Sequence, residues 1–278
     1  MYQARVARRL RGAAKYLLLL LALCWALAPI YMVFQNSLKP AVAIFADPPQ
    51  WIFKPTLDNY QRAFDKHTLG VYMRNSVIVG VLTMAISLAI GSLAAYSLAR
   101  LKMKGRESTA LLIMVSRMVR ATVLVVPMFT IMQSLRLINT YWSLVIAHVT
   151  FNLPFVVWMM RSFFEETPEE IEDAALVDGC SRLGTFFRVA LPLAAPGLAA
   201  TAILCLLFSW NEFLFALVLS GRDTRTLPIG ISAFIGTVSV DWGTSSAAAV
   251  VAMAPIFILG LLVQRYLVRG LTMGAVKG

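Results

Sequence analysis

Five stretches of this chain, 16–38, 75–99, 137–160, 189–211 and 242–264, contain no Asp, Glu, Lys or Arg. Each is long enough to cross the hydrocarbon core of a bilayer as a helix, which takes about 20 apolar residues. One soluble core cannot hold that much apolar sequence. The whole chain agrees: 59% of its 278 residues are hydrophobic and only 14% charged, against about 25% charged in soluble domains. An ordinary cytosolic enzyme and a disordered chain are both excluded. Three cysteines, Cys24, Cys180 and Cys205, make no disulfide framework.

A sixth apolar stretch, 108–135, is interrupted by Arg117 and Arg120 and is long enough to cross only if taken whole. The predicted fold is therefore an all-α polytopic membrane protein with six transmembrane helices. These are placed at about 16–36, 73–99, 108–135, 139–160, 190–219 and 243–265, in one transmembrane domain over 1–278. The run Thr226–Val240 is too short to span and carries Pro228, Gly230 and Gly236, so it reads as a loop or re-entrant segment. The first span has a basic start, but its apolar stretch exceeds a signal-peptide core, and it reads as a retained helix. Pro29, Pro127, Pro154, Pro196 and Pro255 interrupt five spans. Bent helices that rock between states and ordinary membrane-helix proline usage account for them equally.

The net charge of +11 is explained by placement. With the N-terminus in the cytoplasm, the inside segments 1–15, 100–107, 161–188 and 265–278 hold 15 basic residues and the outside segments eight. That bias predicts both termini cytoplasmic. The basic residues form no single patch, so nucleic acid is not an expected partner.

Seven of the 14 acids lie between Glu165 and Asp178, in a predicted cytoplasmic loop, 165–192. Thr167 and Glu170 have capping-box spacing, with Pro168 at the first helical position. Ile171, Ala174 and Ala175 fall on one face, and Gly179 is placed as a helix stop. A second short helix is predicted from Ser181, with Leu183, Phe186, Phe187 and Ala190 at helical spacing. Two short helices and a tight turn thus project from the membrane. Periodicity alone favours an ordered loop lying on the bilayer surface over a knob that fits a groove on a soluble subunit.

The run Asp173-Ala-Ala-Leu-Val-Asp178-Gly179, followed after eleven residues by Leu191-Pro192, resembles the coupling motif of permease subunits in bacterial ATP-binding-cassette importers. Asp173 stands where the family has glutamate, keeping the charge with a reach one methylene shorter. The resemblance covers nearly the whole chain and is to the carbohydrate-importer permeases of maltose type. It includes Thr56-Leu-Asp-Asn-Tyr60, Asn139-Thr-Tyr-Trp-Ser143, Trp210-Asn-Glu-Phe213 and Gly270-Leu-Thr-Met-Gly-Ala-Val-Lys-Gly278.

It implies a sugar importer working by alternating access in the bacterial inner membrane. The implied partners are a second homologous permease subunit in a heterodimer, two ATPase subunits and an extracytoplasmic solute-binding protein. Asp173, Ala174, Ala175, Asp178, Gly179, Leu191 and Pro192 would form the ATPase contact. Gly274, Ala275, Val276, Lys277 and Gly278 would form a second one, and the loop Gly221–Thr244 would reach toward the binding protein. No cofactor is expected on this chain; ATP and Mg belong to the partner ATPases.

The residues themselves add no catalytic pattern. GxxxxGK[ST], HExxH and a nucleophile elbow are absent, and His67 and His148 are isolated. Candidate pathway residues are Arg117, Arg120, Asn211 and Glu212. Arg117 and Arg120 share a helical face and would either line a cavity or sit at headgroup level. Glu212, the one acid within a span, would face protein or water rather than lipid. The alternatives are a permease for a non-sugar solute such as a glycerol-phosphate ester, or an ion-coupled secondary transporter. The latter would need paired repeats and several midplane acids.

Overall fold

In the computed structural model, which describes residues 2–65, 68–232, 234 and 241–274, the chain is helical, with no strand among those residues. Among the described residues, four helices are long and apolar enough to cross a membrane: α1 (Tyr2–Leu38, apolar from Ala14), α3 (Leu69–Arg100), α6 (Tyr141–Glu166) and α12 (Trp242–Gly274, apolar to Gln264). Two bent pairs bring the number to as many as six, if each pair is one broken span.

The bends are where sequence and structure differ. The predicted span 108–135 is α4 (Arg106–Ser116) and α5 (Ala121–Ser134), meeting at 91°. The break falls on Arg117–Arg120, with Arg120 in extended backbone (φ −66°, ψ 141°). The predicted span 190–219 is likewise not one rod. Helix α8 (Arg182–Leu193) meets α9 (Ala195–Trp210) at 79°, and Asn211–Phe213 then separates α9 from α10 (Leu214–Leu219). Pro196 has no amide hydrogen to donate to Pro192, so the helical ladder fails at that bend.

The chain divides into two compact units. The first comprises residues 1–68 and 233–251. In it, α2 (Asp58–Asp65) locks the end of α1. Buried Asn59 donates to the carbonyls of Ser37 (2.9 Å) and Lys39 (2.8 Å), which the end of α1 leaves without helical partners. Tyr60 and Ser37 join hydroxyls at 2.8 Å, and Arg62 donates to Asn59 Oδ1. The Thr56–Tyr60 stretch is therefore a structural lock. Along α1, Leu17 to Leu21 are each more than half exposed, as a lipid-facing helix requires.

The second unit, 69–232 and 252–278, is built around α3, with α6 and α9 packed on it. Small residues set this packing. Ser76, Gly80, Ser87, Gly91, Ser92, Ala95 and Ala99 of α3 are buried. A Cβ on Gly91 would lie 2.6 Å from Val156 Cγ1 of α6, and one on Gly80 2.7 Å from Leu206 Cδ1 of α9. Helices in lipid gain little from apolar burial and associate through close contact of this kind.

Loops at the other end of the unit are pinned by side chains. Asn75 donates to the carbonyls of Asp223 (2.9 Å) and Arg225 (3.0 Å) and accepts from Tyr141 (2.7 Å). Asn139 accepts from Gly221 N and Thr224 Oγ1, both at 2.9 Å. Helix α11 (Leu227–Ser232) begins where Ser76 Oγ accepts from Leu227 N (2.8 Å). It forms the start of the Thr226–Val240 run, of which residues 233 and 235–240, like His67, lie outside the described residues.

Replacing Gly91 with leucine overpacks the α3–α6 seam and is expected to cost about 1–3 kcal/mol. Thermal unfolding of detergent-purified protein measures it. Gly260→Leu, where a Cβ meets nothing within 4 Å, serves as the control. Equal midpoints for the two variants would show that the seam is not close-packed.

Candidate functional site

Two places in the second unit concentrate polar chemistry. The first is the root of the predicted loop. Helix α6 ends at Glu166, and α7 (Glu169–Val177) starts after Pro168 without a side-chain cap. The expected capping box from Thr167 to Glu170 does not form. Thr167 closes α6 instead, its hydroxyl donating to Phe163 O (3.1 Å).

What fixes α7 is an ion pair that the sequence did not reveal. Arg100, the last residue of α3, donates through Nε to Glu172 Oε1 (2.9 Å). Its Nη2 donates to the carbonyls of Phe164 (2.6 Å) and Thr167 (2.7 Å). Tyr96 Oη donates to Glu172 Oε2 (2.7 Å), so both carboxylate oxygens are engaged. Arg100 and Glu172 side chains are only 8% and 5% exposed. A buried pair repays its desolvation only when its remaining hydrogen bonds are made, and here they are. The rings of Tyr96, Phe164 and Phe186 pack behind it, with centroids 5.1–6.1 Å apart. Arg100 thus closes the end of α6 and grips α7 from α3. The partners lie 72 residues apart in sequence, and Glu172 is one of seven acids in its loop, so no local pattern marks it.

Glu172 and Phe186 turn inward, while four other apolar residues of α7, its turn and α8 turn outward. Ile171 is 46% exposed, Val177 87%, Leu183 65% and Phe187 57%. Asp173, Ala174, Asp178 and Gly179 are exposed and Ala175 half-buried. Gly179 is the stop the sequence predicted. It has φ +87°, its amide donates to Leu176 O (3.1 Å), and that of Cys180 donates to Ala175 O (3.0 Å). This is a Schellman ending, which needs a left-handed residue. Ser181 then caps α8, accepting from Gly184 N (3.1 Å). Leu191 and Pro192 lie in the last turn of α8, before the bend. Gly274 ends α12, and Ala275–Gly278 lie outside the described residues.

The second place is a cavity of about 270 Å³ whose wall includes Arg117, Arg120, His148, Asn152, Ser209 and Glu212. Buried His148 shares a 2.7 Å hydrogen bond between Nδ1 and Ser209 Oγ, and its Nε2 lies 3.3 Å from Glu212 Oε2. Glu212 accepts from the amides of Phe215 (2.9 Å) and Ala216 (3.1 Å), so it serves the first turn of α10. Asn211 turns back to Leu207 O (2.8 Å) and is not on the cavity wall. Sequence reading named both arginines and Glu212 and missed Asn152 and Ser209, which are ordinary small polar residues of apolar helices. No group of three His, Cys, Asp or Glu side chains able to hold a metal occurs among the described residues.

Residues 87–273 match the family model described as "Binding-protein-dependent transport system inner membrane component". The chain belongs to that family. It is 39% identical to the sulfoquinovosyl glycerol transport system permease protein SmoH of Agrobacterium fabrum, over 91% of this chain and 89% of the relative. It is 37% identical to the trehalose/maltose transport system permease protein MalG of Thermococcus litoralis, over 85% and 89%. Its fold matches a chain of a bacterial ABC transporter involved in import of the acidic polysaccharide alginate. There the TM-score is 0.80 and identity 24%, over 93% of this chain and 96% of that one. The protein is thus a multi-pass permease of the inner membrane, and an ion-coupled secondary transporter is not supported.

For this permease, Glu172→Ala would leave the buried Arg100 guanidinium only the more distant, exposed carboxylate of Glu169 (3.7 Å), at a cost of up to about 3–5 kcal/mol. Limited proteolysis between Glu166 and Ser181 should accelerate accordingly. Arg100→Met with Glu172→Leu should recover part of the protection. An unchanged cleavage rate in Glu172→Ala would remove the pair from its anchoring role.

Proposed function

We propose that this permease imports a sugar or sugar-like solute by alternating access, driven by ATP hydrolysed on separate subunits. The two compared relatives are named for glycosides, and the family is binding-protein-dependent. The complete transporter pairs this chain with a second homologous permease subunit, two ATPase subunits that hold ATP and Mg, and an extracytoplasmic binding protein. The N- and C-termini and the loop 165–192 lie on the cytoplasmic side, as the 15-to-8 bias of basic residues supports.

One observation carries this reading. The loop presents apolar side chains outward at Ile171, Val177, Leu183 and Phe187 while a buried ion pair fastens it to α3. Leaving four apolar side chains in water is unfavourable unless another surface covers them. A loop resting on lipid would not need a rigid root. The ATPase contact therefore comprises Asp173, Ala174, Ala175, Asp178 and Gly179 on α7 and its turn. Leu191 and Pro192 pass motion through the bend into α9. The C-terminal Gly274–Gly278 supplies a second contact. A glycerol-phosphate ester is the second reading of the solute, favoured by the two arginines on the cavity wall.

Gly179 tests the coupling. A Cβ there meets no atom within 4 Å, so only backbone strain opposes a side chain. A left-handed residue other than Gly or Asn costs about 1–2 kcal/mol. In reconstituted transporter, Gly179→Val should lower uptake per ATP hydrolysed about tenfold, and Gly179→Asn should stay near wild type. Equal coupling in both variants would show that the turn does not transmit.

A further inference from the structure

Arg117 and Arg120 are two cations on the wall of one cavity, and neither guanidinium makes a hydrogen bond or ion pair among the described residues. The cavity's single carboxylate does not balance them. Both oxygens of Glu212 already serve the amides of Phe215 and Ala216, and Oε2 also faces His148. Arg117 caps the end of α4, yet its side chain turns onto α6 and α9. Its guanidinium lies over the rings of Phe155 (4.6 Å) and Phe208 (5.3 Å). Phe155 is fourteen residues after the start of α6 and eleven before its end, so Arg117 is beside the middle of a spanning helix. There an uncompensated guanidinium is costly and calls for an anionic partner. Stacking occupies its faces and leaves its edge, which carries the N–H donors, free for a planar anion.

Buried Asn152 stands in the same wall, but its Nδ2 donates to His148 O (3.0 Å) and its Oδ1 is too deeply buried for a ligand in the cavity to reach. The cavity's free polar groups are therefore its two unpaired cations, which fit a molecule carrying an anionic group.

We infer that the cavity between the α4–α5 break, α6 and the end of α9 binds an acidic sugar. Its carboxylate, sulfonate or phosphate is held by Arg117 and Arg120. This rests on the importer reading and narrows its solute to an anionic one. Neutral sugars lack the charge that two unpaired arginines call for.

Direct binding to the purified permease complex, without binding protein, tests this. The probes are radiolabelled glucuronate, glucose 6-sulfate and glucose 6-phosphate, with glucose as the neutral reference. At least one acidic probe should bind more tightly than glucose. Losing charge-assisted hydrogen bonds should weaken it by about tenfold or more in Arg117→Gln and Arg120→Gln. Glucose binding should be unmoved, and Arg117→Lys should recover part of the loss. Arg120 does not stack on the rings, so its variant keeps the test open if Arg117→Gln fails to fold.

Three results would overturn the inference. One is equal binding of acidic and neutral probes, or of none. Another is displacement of the acidic probe by phosphatidylglycerol in nanodiscs, which would make a lipid headgroup the anion. The third is separation of the two permease subunits in the double variant, which would make an acid on the partner subunit the counter-charge. The importer reading fails separately, if reconstituted transporter with its binding protein takes up no solute at all.

Discussion

The pairing of Arg100 with Glu172 decides how this permease presents its loop. A guanidinium at the end of α3 satisfies two carbonyls at the end of α6 and one carboxylate on α7. Removing that charge would free three elements at once. Glu172 and Phe186 fill the inward face of the loop, so Ile171, Val177, Leu183 and Phe187 lie on its outward face. A stability argument alone would not choose a buried ion pair, since well-packed apolar groups often serve as well. Its value here is rigidity: a fixed knob on a fixed helix can carry a push.

The same economy of polar groups shapes the rest of the second unit. Backbone breaks at Arg117–Arg120, at Pro196 and at Asn211–Phe213 would be costly in lipid, where no water meets the freed groups. Each lies against other protein elements or a cavity. Glu212 supplies acceptors to the amides that begin α10, and His148 and Ser209 complete the chain of contacts. The break between α4 and α5 lies on the cavity wall, so the interruption of the span also places two arginines at the cavity.

Much of this was legible from the residues. The apolar runs gave the helices because charge-free length is a direct readout of bilayer thickness. Gly179 was placed as a helix stop because a left-handed turn restricts its occupants so strongly. Where the reading failed, two competing demands met on one residue. Thr167 has the composition of a capping box but is used by the helix before it. The spans 108–135 and 190–219 have the apolarity of rods, yet arginine and proline placement breaks them. The Arg100–Glu172 pair was out of reach, because sequence shows charges near in the chain and this pair is close only in space.

Whether the loop meets an ATPase subunit, the central claim of the proposed coupling, can be read by crosslinking. The native cysteines 24, 180 and 205 are changed to serine, and the strongly exposed Val177 to cysteine. The assembled transporter is then treated with a short bifunctional thiol-to-amine reagent applied from the cytoplasmic side. Crosslinking of Val177→Cys to an ATPase subunit, altered by ATP, is the predicted result. A transporter that still couples ATP to uptake but gives no such product, with the site labelled only from the opposite side, would contradict it.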